Sequence, residues 1–329
     1  GLTLSSNVNA ASDDDYARDF PFSRVWAYQP GIPRRLLIRD VRLDYGAQEW
    51  TASGRLTEYQ VLQDRNGRAL IQRPYSRLPQ LNYNYYGEND SGLNWSLGSE
   101  FTRFHQNFIP VDGMPQQGDR MVINPRLTYN YPTPGFFVRP SVSAHSTVYS
   151  LDDTAAPTMT APNRTLPTFS LDSGLIYERD ASLFGNAAIQ TIEPRLFYTY
   201  TPYKRQDSTL YPNFDSTEAD FNFATVFREN RFVGNDRISD SNQVTTALTT
   251  RYLEPNGMER VRLAIAQRFS FADQRVTLND ATLLPTETRS DMLFLGSGRV
   301  TDQLRVDSNF QFSQSRNELN RMNIGAFWQ

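Results

Sequence analysis

The chain has 329 residues, of which 39% are hydrophobic and 13% aromatic, a net charge of −3 and no cysteine. That balance gives no global basic field for nucleic acid, and it removes disulfides, thiolate metal sites and cysteine nucleophiles from this stretch. No apolar run approaches the roughly 18 residues of a spanning helix, which excludes helical spanning and leaves strand-crossing architectures open.

Read in chain order, segments of period two predict strands over 2–11, 36–45, 49–62, 77–86, 92–104, 121–131 and 136–150. They continue over 168–179, 189–201, 242–253, 260–272, 290–300, 304–314 and 320–329. The first opens the chain at GLTLSSNVNA, with Leu2, Leu4 and Val8 on one face and neither the charged nor the apolar region of a signal peptide. The last, RMNIGAFWQ, also stops within a strand pattern, so the expectation is a segment of a longer protein. Most of these runs exceed the five or six residues usual in soluble sheets and match the 9–11 that a tilted strand needs to cross a bilayer.

The two faces differ in chemistry. Leu93, Trp95, Leu97 and Phe101 oppose Asn94, Ser96, Gly98 and Glu100. Val261, Leu263, Ile265, Phe269 and Phe271 oppose Arg262, Ala264, Ala266, Arg268 and Ser270, and Leu304, Val306, Phe310 and Phe312 oppose Arg305, Asp307, Asn309 and Gln311. A face that repeats Arg, Asp and Glu cannot enter a dry core without steep desolvation, but it can line a wet lumen. Arg55, Glu100, Arg262, Arg268, Arg305 and Asp307 are therefore the candidate hydrophilic lining. Pairing among opposite charges would also serve simply to hold the wall's shape.

Connections alternate in length. Those at 46–48, 87–91, 132–135, 253–259 and 300–303 are short, and DASLFGNAA (180–188) is of middle length. Long polar stretches fill 12–35, 63–76, 105–120, 151–167, 202–241 and 273–289. Outer-membrane barrels are built this way, with tight periplasmic turns and longer outer loops. The parity places DFNFATVFR (220–228) inside the long loop 202–241 rather than in a strand of its own. Aromatics gather beside the short turns at Tyr45, Trp50, Tyr83, Tyr85, Tyr86, Trp95, Tyr129, Tyr131, Phe136 and Phe137, where an interfacial girdle belongs. The predicted fold is all-β, a segment of about 14 strands of a large antiparallel transmembrane barrel, with residues 1–329 in one barrel domain.

Catalytic and metal signals are weak. His145 shares a strand face with Ser143 but has no evident orienting acid. The run Asp13–Asp14–Asp15 lacks the spaced ligands and glycine of a calcium loop. Gly296 and Gly298 are strand glycines with no following helix to make a phosphate loop. The expectation is a protein without catalysis, metal or cofactor.

Two stretches carry a family resemblance. TIEPRLFYTYTPYKRQD (191–207) presents Glu193, Pro194, Arg195, Tyr198, Tyr200, Pro202 and Tyr203. FRENRFVGNDRISDSNQVTTALTTR (227–251) presents Phe227, Arg228, Gly234, Asp236, Arg237, Ile238, Asn242, Gln243, Val244, Thr245, Thr246 and Arg251. Weaker echoes lie at 12–20 and 77–86. Together they resemble the LPS-assembly outer-membrane protein LptD, or organic-solvent-tolerance (OstA), family, in its central barrel segment. The resemblance implies lipopolysaccharide as substrate, moved to the outer leaflet of a Gram-negative outer membrane. It also implies an LptE-like plug lipoprotein in the lumen, and periplasmic LPS-bridge proteins reached through a jellyroll that this stretch does not contain. The family's cysteines, lateral gate and first and last barrel strands likewise have no counterpart here. Under that resemblance Arg228, Arg231, Asp236, Arg237, Asp215 and Asp220 are candidate plug contacts. A porin-like passive channel and a secreted β-rich glycan-binding or hydrolytic protein are the alternatives.

Overall fold

The computed structural model describes residues 1–16, 35–63, 71–106, 117–152, 163–278 and 287–328. Its strands are β1 (Leu2–Val8), β2 (Leu36–Gly46), β3 (Trp50–Val61), β4 (Ser76–Glu88), β5 (Leu93–His105) and β6 (Gly118–Tyr129). Then come β7 (Tyr131–Pro132), β8 (Phe136–Leu151), β9 (Arg164–Leu175), β10 (Tyr177–Leu183), β11 (Asn186–Thr201), β12 (Thr217–Glu218) and β13 (Phe232–Val233). The series closes with β14 (Ser241–Leu253), β15 (Glu259–Ser270), β16 (Met292–Arg299), β17 (Leu304–Ser313) and β18 (Glu318–Trp328).

One antiparallel sheet runs β1-β2-β3-β4-β5-β6-β8-β9-β11-β14-β15-β16-β17-β18, so strands consecutive along this path are neighbours throughout. Each of the expected strands has its counterpart. The differences are local. The expected strand at 168–179 begins earlier, at Arg164, and breaks at Ile176. DASLFGNAA is not a plain loop, because β10 and β11 continue as a hairpin through it, from Tyr177↔Ile192 to Leu183↔Asn186. The turn there holds Phe184 and Gly185 at positive φ. The connection between β17 and β18, residues 314–317, is short although parity puts it at the long-loop end of the sheet.

Alternation sets the two faces. Cross-strand neighbours such as Leu263, Gly296 and Ser308 share one face, and Arg262, Ser297 and Asp307 share the other. The first face is rich in exposed apolar side chains: Leu2, Leu43, Leu81, Phe101, Ile123, Val142, Phe169, Leu196, Leu248 and Leu263 are all exposed. A soluble protein seldom exposes a continuous apolar belt of this extent, whereas a bilayer covers one. Near the short turns Tyr45 and Trp50 lie 4.9 Å apart, Trp50 and Tyr83 5.9 Å, and Tyr131 and Phe136 5.9 Å, as a girdle requires. Gly87 takes part in it: a Cβ there would come within 2.3 Å of the Trp95 indole, so only glycine lets that ring lie across the strand.

Candidate functional site

The polar face is partly covered by the chain itself. Residues 202–240, between β11 and β14, turn back over it instead of standing away from the sheet. Two apolar contacts anchor them. Phe214 stacks on Phe104 of β5 with centroids 4.3 Å apart, and Tyr211 packs edge-on to Tyr149 of β8 at 6.0 Å. Further along, Val226 is buried against Ala266 and Leu293, with Phe221, Phe223 and Phe227 around it. DFNFATVFR therefore forms no strand of the sheet, as parity required. Its aromatics fill the space above small wall residues such as Ala247 and Ala266.

Between these contacts lies a buried charge network. Arg120 of β6, 0% exposed, donates to Asp215 Oδ1 and Oδ2 at 2.7 and 2.6 Å, to Asp236 at 2.8 Å and to Glu100 at 2.6 Å. Asp236, also 0% exposed, accepts as well from the Phe214 and Asp215 amides at 2.7 and 3.0 Å and from the Tyr149 hydroxyl at 2.9 Å. Arg164 of β9 donates to the Asn235 and Asp236 carbonyls at 2.8 and 2.7 Å and to Gln206 at 2.7 Å. Arg237 turns away from the wall and holds the Tyr211 and Pro212 carbonyls at 3.2 and 2.9 Å. A second clamp joins Arg126 of β6 to Glu229, which also accepts from Ser170 of β9 at 2.7 Å. His145 contributes a contact to Asn235 at 3.2 Å, so its place is in loop docking.

Burial and partners tune the loop carboxylates in opposite senses. Burial alone would raise Asp215, but the hydrogen bond and charge of Arg120 override it and bring its pKa down from 3.8 to about 2. Glu229 behaves similarly: burial works upward, and Arg126 outweighs it to leave the group below 4.5. Asp236 is raised, because its complete burial exceeds the help it receives from Arg120. A depressed carboxylate contributes stability above its unfolded pKa and loses it as pH falls through the folded one. Asp215 thus favours docking above about pH 4 and ceases to do so toward pH 2, Glu229 loses its contribution in the same acid direction, and Asp236 opposes part of that change. Limited proteolysis across that window is expected to show residues 202–240 becoming susceptible on the acid side, before the sheet itself unfolds.

All six predicted lining residues lie on the polar face, but they divide into two groups. Glu100 and Arg268 take part in loop docking: Glu100 pairs with Arg120, and Arg268 donates to the Val226 carbonyl with its guanidinium 5.4 Å from the Phe221 ring. The others sit beyond the loop, each beside an opposite charge: Arg55 with Asp40 at 2.6 Å, Arg262 with Glu259 at 2.8 Å and Arg305 with Asp307 at 2.9 Å.

The loop residues named as plug contacts are also split. Asp215, Asp236 and Arg237 are buried in contacts with this same chain. Arg231 donates to Gln274 at 2.8 Å and to the Val276 carbonyl. Asp220 pairs with Arg321 of β18 at the surface, and Arg228 is half-buried with no ion pair among the described residues. Reading the sequence did not single out Arg120, Arg126, Arg164 or Glu229, which hold the loop to the wall.

The remaining family-motif positions run from the middle of β11 to the loop's root. Glu193 pairs with Arg251 at 3.2 Å, and Arg195 pairs with Asp172 at 2.8 Å while lying 3.8 Å over Phe227. Pro194 is paired with Leu248. Pro202 and Tyr203 start the loop, with Arg275 3.8 Å over the Tyr203 ring. Asn242 accepts from the Tyr198 hydroxyl at 3.0 Å. Gly234 has φ 80° within the turn that delivers Asp236.

Comparison with known proteins agrees with this geometry. The profile of the family described as LptD, LPS transport system D, matches residues 1–329. The chain belongs to the LptD family. It is 40% identical over 99% of its length to an LPS-assembly protein LptD of Polaromonas sp. strain JS666, and likewise to one of Azoarcus sp. strain BH72. An LPS-assembly protein LptD of Burkholderia lata is 36% identical over 96% of the chain. The chain spans 39% of the length of each of these three relatives. Membership in the LptD family, together with the apolar belt and all-β sheet, fits a Gram-negative outer-membrane protein.

Proposed function

We propose that this chain is a wall segment of a lipopolysaccharide translocon in the outer membrane, which assembles LPS at the outer leaflet around a plug lipoprotein. The observation that carries the reading is the in-folded loop 202–240, joined to the family match. A wall that is apolar outside, charged inside and partly covered by its own loop offers a shaped, wet interior for a phosphorylated sugar head. Paired charges such as Arg55–Asp40 and Arg305–Asp307 keep that interior hydrated without leaving a row of free cations to trap phosphate. The short turns face the periplasm in this reading, and the jellyroll that contacts the periplasmic LPS bridge belongs to another part of the parent protein. The chemistry is transport, with no catalytic step assigned to any residue. The relatives' name, LPS-assembly protein, lends nothing to the porin-like alternative.

The test uses the full-length parent extracted from outer membrane in mild detergent. A small lipoprotein is expected to copurify in equal amount, and shortening the 202–241 loop to a tight turn is expected to release it. A barrel that purifies alone, with its loop intact, would remove the plug from the account.

A further inference from the structure

On the apolar face, β14 to β18 border an open hollow of about 730 Å³ that the transport reading does not use. Its floor is set by small residues: Gly296 of β16 pairs with Ser308 of β17, and Leu263 of β15 flanks them. Its rim is hydrocarbon, formed by Ile265, Phe294, Phe310, Phe312 and Leu319. Gly296 and Ser308 thus leave a dent in a belt that is otherwise filled by large side chains.

Toward the long-loop end the character of this face changes. Phe269 is bridged across the strands to Arg289, which is exposed and enters no ion pair among the described residues. The nearby carboxylates are already engaged: Glu287 accepts from Ser315 at 2.9 Å, and Asp291 accepts from Gln311 and Asn320 at 2.7 and 2.6 Å. Gln267, on the same face as Phe269, is bonded to Gln314 at 3.0 Å and adds a polar rim.

We propose that this hollow and Arg289 form a seat on the outer wall for the phosphorylated, multi-acyl lipid anchor of lipopolysaccharide. The inference rests on the proposed orientation, with the long loops at the outer leaflet. From Leu263 to Phe269 the strand runs six residues, about 20 Å along its own axis at ~3.3 Å per residue, comparable with the reach of an extended acyl chain lying below a headgroup. Across the strands the hollow extends from Leu248 of β14 to Leu319 of β18, about 19 Å at ~4.8 Å per strand, wide enough for several chains side by side. A guanidinium at headgroup height matches a phosphate in charge and geometry.

The experiment is lipid retention by the full-length parent with its copurified partners, delipidated in mild detergent and offered lipid A, phosphatidylglycerol or phosphatidylcholine. Native mass spectrometry counts the bound lipid. Lipid A is expected to be retained above both phospholipids. R289E and, separately, S308F, which fills the hollow, are each expected to weaken retention roughly tenfold, about one charge-assisted contact. Heat-modifiable gel mobility verifies that each variant is folded, and R289E, an exposed change, keeps the test available should S308F fail to fold. Equal retention of all three lipids, or retention unchanged in R289E, overturns the proposal. Neither result touches the translocon reading, whose failure would appear instead as loss of the copurifying lipoprotein.

Discussion

Replacing Arg120 by alanine is expected to free residues 202–240 from the wall while the sheet stays folded. The guanidinium is the shared counter-ion of Glu100, Asp215 and Asp236, and it is fully buried. Removing one member of a buried ionic cluster leaves the rest unpaired in a low-dielectric site, at a cost of about 3–5 kcal/mol. The sheet does not share that cost in full, because the β5–β6 ladder from Leu93↔Tyr129 to Phe104↔Gly118 is made by backbone groups. Arg120→Lys should rescue only a part, since one ammonium cannot reproduce the fork that meets Asp215 at two oxygens. Protease accessibility of the loop, measured beside heat-modifiable gel mobility, separates the two effects. A loop still protected in Arg120→Ala would mean that the apolar contacts at Phe104 and Val226 suffice.

Gly234→Ala is the second large effect. The residue has φ 80°, and an added Cβ would lie 2.5 Å from the Asp215 carbonyl oxygen and 2.7 Å from its carboxylate. The left-handed conformation and the overlap together should cost about 2–3 kcal/mol, localised at the turn that presents Asp236. Because this turn delivers Asp236 and packs directly against Asp215, two of the carboxylates around Arg120, the double variant with Arg120→Ala should lose much less than the sum. Additive losses in proteolytic protection would separate the turn from the network and contradict the coupling.

These expectations show where the sequence was readable. Strands such as β15 and β17 could be seen directly because each alternates leucine or phenylalanine with arginine, aspartate or asparagine, a local period-two signal. Loop parity, a signal counted along the whole chain, kept DFNFATVFR out of the sheet. The β10–β11 hairpin was missed because Asp180, Ser182 and Asn186 carry loop chemistry, and only pairing with β11 orders them. The anchors of the loop were not legible for a different reason. Arg120 meets Asp215 and Asp236 across 95 and 116 residues, and nothing near Arg120 in GDRMVINPR reveals which carboxylates will arrive. Asp236 and Arg237 did stand out as charged residues around a glycine turn. Their burial against the wall depends on Tyr149, Arg120 and Arg164, which the topology supplies from β8, β6 and β9.

The arrangement also separates what a plug could touch from what it could not. Asp215, Asp236 and Arg237 are occupied within the chain. Arg228, Asp220 and the open wall around Arg55 remain reachable from the lumen side. In this account the loop is a fixed part of the wall's inner surface, and a partner rests against it.

The most direct measurement follows newly made lipopolysaccharide to the cell surface in cells whose only copy of the parent protein carries Arg120→Ala, at normal barrel abundance. The account predicts that delivery to the outer leaflet falls sharply as the loop undocks. Undiminished delivery, with the loop demonstrably protease-sensitive and the barrel folded, would contradict the claim that this in-folded loop shapes the transport path.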